Sequence, residues 1–132
     1  MPALVPPGDY RLKFETWSTV MLFGRQPKVV LRFRICDFGP HFELGLARWY
    51  NVTKLRGKVG RQGRFSVGWS SDLLRDFAKL VSMPHRVDRI NLDALSGLLI
   101  VGRVETVVKD RSQGVLPSAC HYSVVREIVG TA

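Results

Sequence analysis

The sequence predicts a mainly β domain of five strands, with one helix between the third and the fourth. Three observations carry this prediction. Residues 9–15 and 28–37 alternate apolar and polar side chains with the period of two that marks a half-buried strand. Only one segment, built on Leu73, Leu74, Phe77, Leu80 and Val81, has apolar residues at helical spacing. Glycine and proline punctuate the intervals between these runs as turn formers do.

Pro2, Pro6, Pro7 and Gly8 make an extended lead-in, and the first strand starts at Asp9. Tyr10, Leu12 and Phe14 face one way, and Arg11, Lys13 and Glu15 the other. The alternation breaks near Trp17, and Gly24-Arg25-Gln26-Pro27 forms a turn. In the second strand, 28–37, Val29, Leu31, Phe33 and Ile35 oppose Lys28, Val30, Arg32, Arg34 and Cys36. Asp37-Phe38-Gly39-Pro40 breaks it, and a third strand spans 41–52 with Gly45 as a bulge or close-approach point. A glycine-punctuated basic loop, 54–64, leads through an extended piece at 65–69 to a helix over 71–83. Ser70 or Ser71 caps the helix, Asp72 suits its positive end, and Pro84 stops it. A fourth strand over 98–109, a polar loop over 110–118 and a fifth strand over 120–129 complete the chain.

A chain of 132 residues fits one domain, and 45% hydrophobic residues is too many for a disordered segment. The longest apolar runs, such as 98–101, are far short of a membrane span, and residues 1–8 lack the pattern of a signal peptide. Two cysteines, Cys36 and Cys120, without a secretory context point to reduced thiols and a cytoplasmic location. The 20 Lys and Arg against 11 Asp and Glu give a net charge of +9. Such a charge attracts polyanions, because phosphates neutralised by cations release condensed counterions.

Five strands with a helix between strands 3 and 4 is the order of the OB-fold, a five-stranded Greek-key barrel that binds oligonucleotides on its strand 2–3 face and adjoining loops. The Pro7-Gly8-Asp9-Tyr10 opening, the 28–35 strand, the 45–50 segment and the Tyr122-Ser123-Val124-Val125 strand also resemble the small single-stranded-DNA-binding proteins of phages, plasmids and integrative elements. That resemblance implies sequence-tolerant coating of single-stranded DNA during replication, transfer or recombination of a mobile element. Bacterial single-strand-binding proteins end in an acidic tail, whereas this sequence ends Val129-Gly130-Thr131-Ala132. The difference points to an accessory protein rather than a housekeeping hub.

Single-strand binders join a cationic groove to aromatic rings on which bases stack. On the strands, Lys28, Arg32 and Arg34 supply the charge, supported by Arg11 and Lys13. In the loop, Lys54, Arg56, Lys58, Arg61 and Arg64 stand with no acid among them, and Gly57, Gly60 and Gly63 would let the backbone approach phosphates. Lys109 and Arg111 extend the candidate surface, as do Arg48 and Trp49 in the third strand and Trp17 in the first. Trp49 and Tyr50 are adjacent and must face opposite sides, so one is core and the other exposed. Trp69 is either a stacking ring or packed beneath the helix.

Nothing in the sequence suggests an enzyme, a metal or a cofactor. His41, His85 and His121 are scattered, no zinc-ligand spacing occurs, and Ser70-Ser71-Asp72 lacks the Gly-x-Ser-x-Gly elbow. The alternatives to DNA binding are a β-barrel protein-interaction or architectural module and an RNA-binding module. An exposed edge strand would offer a route to homo-oligomers.

Overall fold

The computed structural model describes residues 4–60, 63–82, 90–108, 114–115 and 121–131. They form a mainly β structure whose elements follow the predicted order. The strands are β1 (Gly8–Leu22), β2 (Gln26–Ile35), β3 (Gly45–Asn51), β4 (Lys54–Arg56) and β5 (Arg64–Ser66) before the helix α1 (Asp72–Leu80). A short 3-10 helix (Leu92–Leu95), β6 (Leu99–Val107) and β7 (Tyr122–Thr131) follow. Five strands make one antiparallel sheet in the order β3-β2-β1-β6-β7, and β4 and β5 make a separate hairpin.

The loss of alternation near Trp17 is a β-bulge. Phe14 pairs with Phe33 but Thr16 pairs with Arg32, so Glu15 is an extra residue. It reverses the facing of everything after it. Leu12 and Phe14 are buried before the bulge, and Trp17 and Thr19 after it. The strand therefore keeps an apolar inner face over 15 residues instead of ending at the break. Its first half pairs with β6, from Gly8 opposite Val104 to Lys13 opposite Leu99. Its second half has β2 on one side only. There the basic loop takes the place of a strand, since Thr19 N donates to Gly60 O at 2.9 Å and Gly60 N to Thr19 Oγ1 at 3.0 Å.

Four other boundaries differ from the sequence expectation. The third strand starts at Gly45, not at residue 41, because Gly39 and Glu43 adopt positive φ and turn the chain. Gly45 itself lies opposite Arg34 in regular register, so it is no bulge. The basic loop holds the β4–β5 hairpin. The last strand extends to Thr131, where Gly130 and Thr131 pair with Val101 and Ile100. Val81 closes the helix by donating to Phe77 O at 2.8 Å and is 44% exposed, so it is not part of the buried stripe. Ser71 is the cap, its Oγ accepting from Leu74 N at 3.2 Å. Residues 83–89, most of 110–118 and Cys120 lie outside the described residues.

The core lies between the inner face of the sheet, α1 and the 3-10 helix. Leu12, Val29, Phe33, Ile35, Tyr50, Leu73, Leu92, Ile100 and Ile128 are almost wholly buried there. Each fully buried aliphatic or aromatic side chain of this kind contributes about 1.5–3 kcal/mol. Phe14 and Phe33 add an edge-to-face contact at 6.1 Å. The 3-10 helix, which the sequence did not announce, brings Asp93 Oδ1 within 3.1 Å of Trp17 Nε1.

The sheet does not close into a barrel by backbone pairing. No ladder joins the edge strands β3 and β7 among the described residues. A buried arginine spans the gap instead. Arg48 Nη1 donates to the β7 carbonyls of Arg126 (2.5 Å) and Val125 (3.4 Å). Its Nε lies 2.9 Å from both Asp76 Oδ2 on α1 and Tyr50 Oη, and Tyr50 donates to the same carboxylate oxygen at 2.6 Å. Lys79 ties the helix to Ile128 O at 2.9 Å. Burial opposes the charge on Arg48, but Tyr50 and Asp76 outweigh it and hold the guanidinium protonated more firmly than usual. Burial, reinforced by Asp76, pushes the Tyr50 hydroxyl well above its ordinary value.

Candidate nucleic-acid interface

The register of β1, β2 and β3 fixes what their outer face displays. Trp49, Val30 and Ser18 form one row across β3, β2 and β1. Asn51, Lys28 and Val20 form the next, and Ala47, Arg32 and Thr16 the one before it. Trp49 is 41% exposed over a buried Val30. Its chain neighbours Arg48 and Tyr50 are locked into the core, so its backbone is held rigidly while the indole faces out. The cations Lys28 and Arg32 flank that row on the adjacent strand. Lys28 Nζ hydrogen-bonds Asn51 Oδ1, and Arg32 has no acidic partner among the described residues. The neighbouring positions Ala47, Thr16 and Ser18 carry small, half-buried side chains.

The hairpin supplies the second cationic element. Lys54, Arg56, Lys58 and Arg64 are exposed, and none is ion-paired among the described residues. Arg56 stands directly opposite Arg64. Like charges directly opposite each other destabilise the pair. Leu55 and Phe65 face the other way and pack against the core, with Phe65 edge-on to Trp17 at 5.9 Å. Of the loop glycines, Gly63 has a structural role. A Cβ on Gly63 would lie 2.1 Å from Thr19 Oγ1, so this glycine lets the loop close on β1. The hairpin is thus a docked element, not a loose tip.

The structure separates the candidate residues into three groups. Trp49, Lys28, Arg32, Lys54, Arg56, Lys58 and Arg64 lie on the outer face or the hairpin. Trp17 and Arg48 do not: at 9% and 8% exposure both belong to the interior, one packed on Phe65 and bonded to Asp93, the other bridging the sheet edges. Arg34 is on the outer face, but Glu15 holds it at 2.9 Å and it also donates to Glu43 O. Arg61, Lys109 and Arg111 lie outside the described residues.

Acids engage most cations on the rest of the sheet, contrary to the expectation of an uncompensated face over Arg11 and Arg34. Arg11 pairs with Asp37, Arg103 with Asp9 and Glu127, and Arg126 with Glu105. The Arg11 backbone N–H, more than its guanidinium, keeps Asp37 below the usual carboxylate value. Lys13 is without an acid among the described residues, as is Arg25 in the β1–β2 turn.

Sequence reasoning passed over the exposed rings of Phe23, Phe38 and Phe42 and left Trp69 open. Phe23 at the β1–β2 turn is 64% exposed, and Trp69 is 57% exposed, not tucked under the helix. Phe38 and Phe42 stack on each other at 5.3 Å in the β2–β3 turn. The adjacency of Phe23 to Gly24, Phe38 to Gly39 and Trp69 to Gly68 was the available signal, since a ring beside a turn glycine has little core to enter. Among the described residues, no group of three His, Cys, Asp or Glu could hold a metal ion, and no helix is long and apolar enough to cross a membrane. No protein family, curated protein or solved structure matches the chain.

Proposed function

We propose that this chain is an OB-like module that binds single-stranded DNA without strong sequence preference, as an accessory factor in replication, transfer or recombination of a mobile element. The observation that carries the reading is the coincidence of an exposed indole with the unpaired cations. Trp49 sits between Lys28 and Arg32, and the β4–β5 hairpin follows β3 directly. A ring presented this way stacks only on a base whose face is free, which a duplex does not offer. The cations would track the phosphates, and the rows beside the indole would receive the strand. The strand order β3-β2-β1-β6-β7, with α1 ahead of β6, is the order an OB-like barrel has when its last seam is opened. An acidic protein partner would satisfy the cations but leave the exposed indole without a role.

The test is fluorescence anisotropy with labelled single- and double-stranded oligonucleotides at two salt concentrations, alongside quenching of tryptophan emission. Single strands should bind more tightly than duplex, quench the indole and dissociate steeply with salt. Absence of binding at low salt, or equal affinity for duplex, overturns the proposal. RNA of the same sequence, run in parallel, decides between the two sugars.

A further inference from the structure

We propose that the groove between the end of β3 and the start of α1 is a subsite for one nucleobase of the bound strand, an inference that rests on the single-strand reading above. The groove is open and about 420 Å³ in volume, within the roughly 300–1,000 Å³ usual for small-molecule sites. Asn51, Thr53, Ser70 and Ser71 give it amide and hydroxyl groups, and the buried Val52 and Val67 give it apolar surface. It is continuous with the outer face of the sheet, because Asn51 belongs to the row next to Trp49 and receives the Lys28 hydrogen bond. Trp69, which lies in sequence between the lining residues Gly68 and Ser70, is 57% exposed.

The charge of the groove selects the part of the nucleotide that enters. Its lining contains one acid, Asp72, and no cation. Asp72 is held by Arg75 at 2.7 Å on the helix, outside the groove lining. A phosphate would meet a carboxylate there, whereas a base meets hydrogen-bonding groups, apolar surface and a neighbouring indole. The phosphates stay with Lys28, Arg32 and Lys54, which lie along the approach. From Gly45 to Asn51, β3 covers about 20 Å at roughly 3.3 Å per residue. The exposed sheet face alone thus accommodates only a short strand, near the lower end of the ~4–16 nucleotides per site. The groove extends the site beyond it.

Gly68 allows a direct test. A Cβ built there meets nothing within 4 Å, and its φ lies outside the left-handed region. Gly68→Leu therefore adds a bulky side chain at a lining position of the groove without a clash at Cβ, and a thermal melt checks that the fold is kept. Wild type, Gly68→Leu and Trp69→Ala are titrated with oligodeoxycytidylates and oligothymidylates from about 3 to about 16 nucleotides. The short oligonucleotides should bind all three proteins alike. The longer ones should bind Gly68→Leu and Trp69→Ala roughly 5- to 150-fold more weakly than wild type, the loss of one stacked base at about 1.4 kcal/mol per tenfold. Wild-type affinity of both variants at every length overturns the subsite, while the sheet-face reading stands if Trp49→Ala still weakens binding. Equal weakening at all lengths also overturns it, since the groove is then no separate subsite. If Gly68→Leu fails to fold, Trp69→Ala decides alone. If wild type binds no oligonucleotide, the subsite falls together with the function it extends.

Discussion

Replacing Arg48 by methionine should cost far more stability than removing any other cation of the sheet. The side chain is 8% exposed and its partner Asp76 3% exposed. Methionine would leave that carboxylate buried without a cation, and would free the Val125 and Arg126 carbonyls that the guanidinium now satisfies. Breaking a buried pair from one side costs about 3–5 kcal/mol, against a total of about 5–15 kcal/mol for a typical domain. At roughly 3–5 °C per kcal/mol for a chain of this length, the melting temperature should fall by about 9–25 °C. Circular dichroism melts of Arg48→Met and of the triple variant Arg48→Met, Tyr50→Phe, Asp76→Leu separate the causes. The triple variant removes the three polar side chains of this network together and should regain most of the loss, as apolar replacements of buried ion pairs commonly do. Below its melting point, Arg48→Met should keep the wild-type salt dependence of DNA binding. A drop of less than about 3 °C, or a loss of about 0.7 in the log–log salt slope, would refute this account and return Arg48 to the phosphate-contacting surface.

Trp49→Ala should weaken single-strand binding by about 1–3 kcal/mol with an unchanged salt slope and little change in melting temperature, measured by anisotropy and thermal melts. Lys54→Ala, Arg56→Ala and Lys58→Ala together should lower that slope by about 2, at roughly 0.7 per lost phosphate contact. The fold should be no less stable, since one of the opposed charges at Arg56 and Arg64 is gone. Gly63→Ala should destabilise by about 1–3 kcal/mol, because the added Cβ would collide with Thr19 Oγ1. A wild-type melting temperature in that variant would show that the loop is not docked on β1. Tyr50 stays neutral in the folded state above its ordinary value of 10.0, whereas the unfolded chain ionises there. Its contribution is therefore complete below that pH and lost as pH rises above it, and Tyr50→Phe should show a shallower alkaline loss of stability in a pH series of melts.

Much of the fold was legible because strands with one buried face advertise it. Val29, Leu31, Phe33 and Ile35 occupy the inner face as their spacing required. The bulge was legible too: buried positions pass from even numbers at Leu12 and Phe14 to odd numbers at Trp17 and Thr19, a parity change that one inserted residue produces. Arg48 was misassigned because charge was weighed before position. Its neighbours two residues away, Leu46 and Tyr50, are both buried and share its face. Asp76 lies three residues after Leu73 and four before Leu80, inside the apolar stripe of the helix. A buried acid on that stripe and an arginine on the inner face of a strand imply each other, but only the tertiary fold brings them within 2.9 Å. The docking of Gly60 and Gly63 on Thr19 had no local signal, because it joins segments 41 residues apart.

The position of the candidate surface follows from where the acids are absent. No Asp or Glu occurs in residues 16–36 or 44–71. Strand pairing sets these two acid-free segments side by side, since β2 has the second half of β1 on one edge and β3 on the other. Acids confined to the remaining segments neutralise Arg11, Arg34, Arg103 and Arg126 locally, and among the described residues none pairs with Arg32 or the hairpin. The net charge of +9 is therefore not spread evenly. With a screening length of about 8 Å at physiological ionic strength, only the nearest charges act on a ligand. Concentrating uncompensated cations raises the energy of the free protein, most plainly where Arg56 faces Arg64. A bound polyanion removes that repulsion. The same arrangement that costs stability in the free chain would thus supply the salt-sensitive part of its affinity, leaving Trp49 to provide the part that salt does not touch.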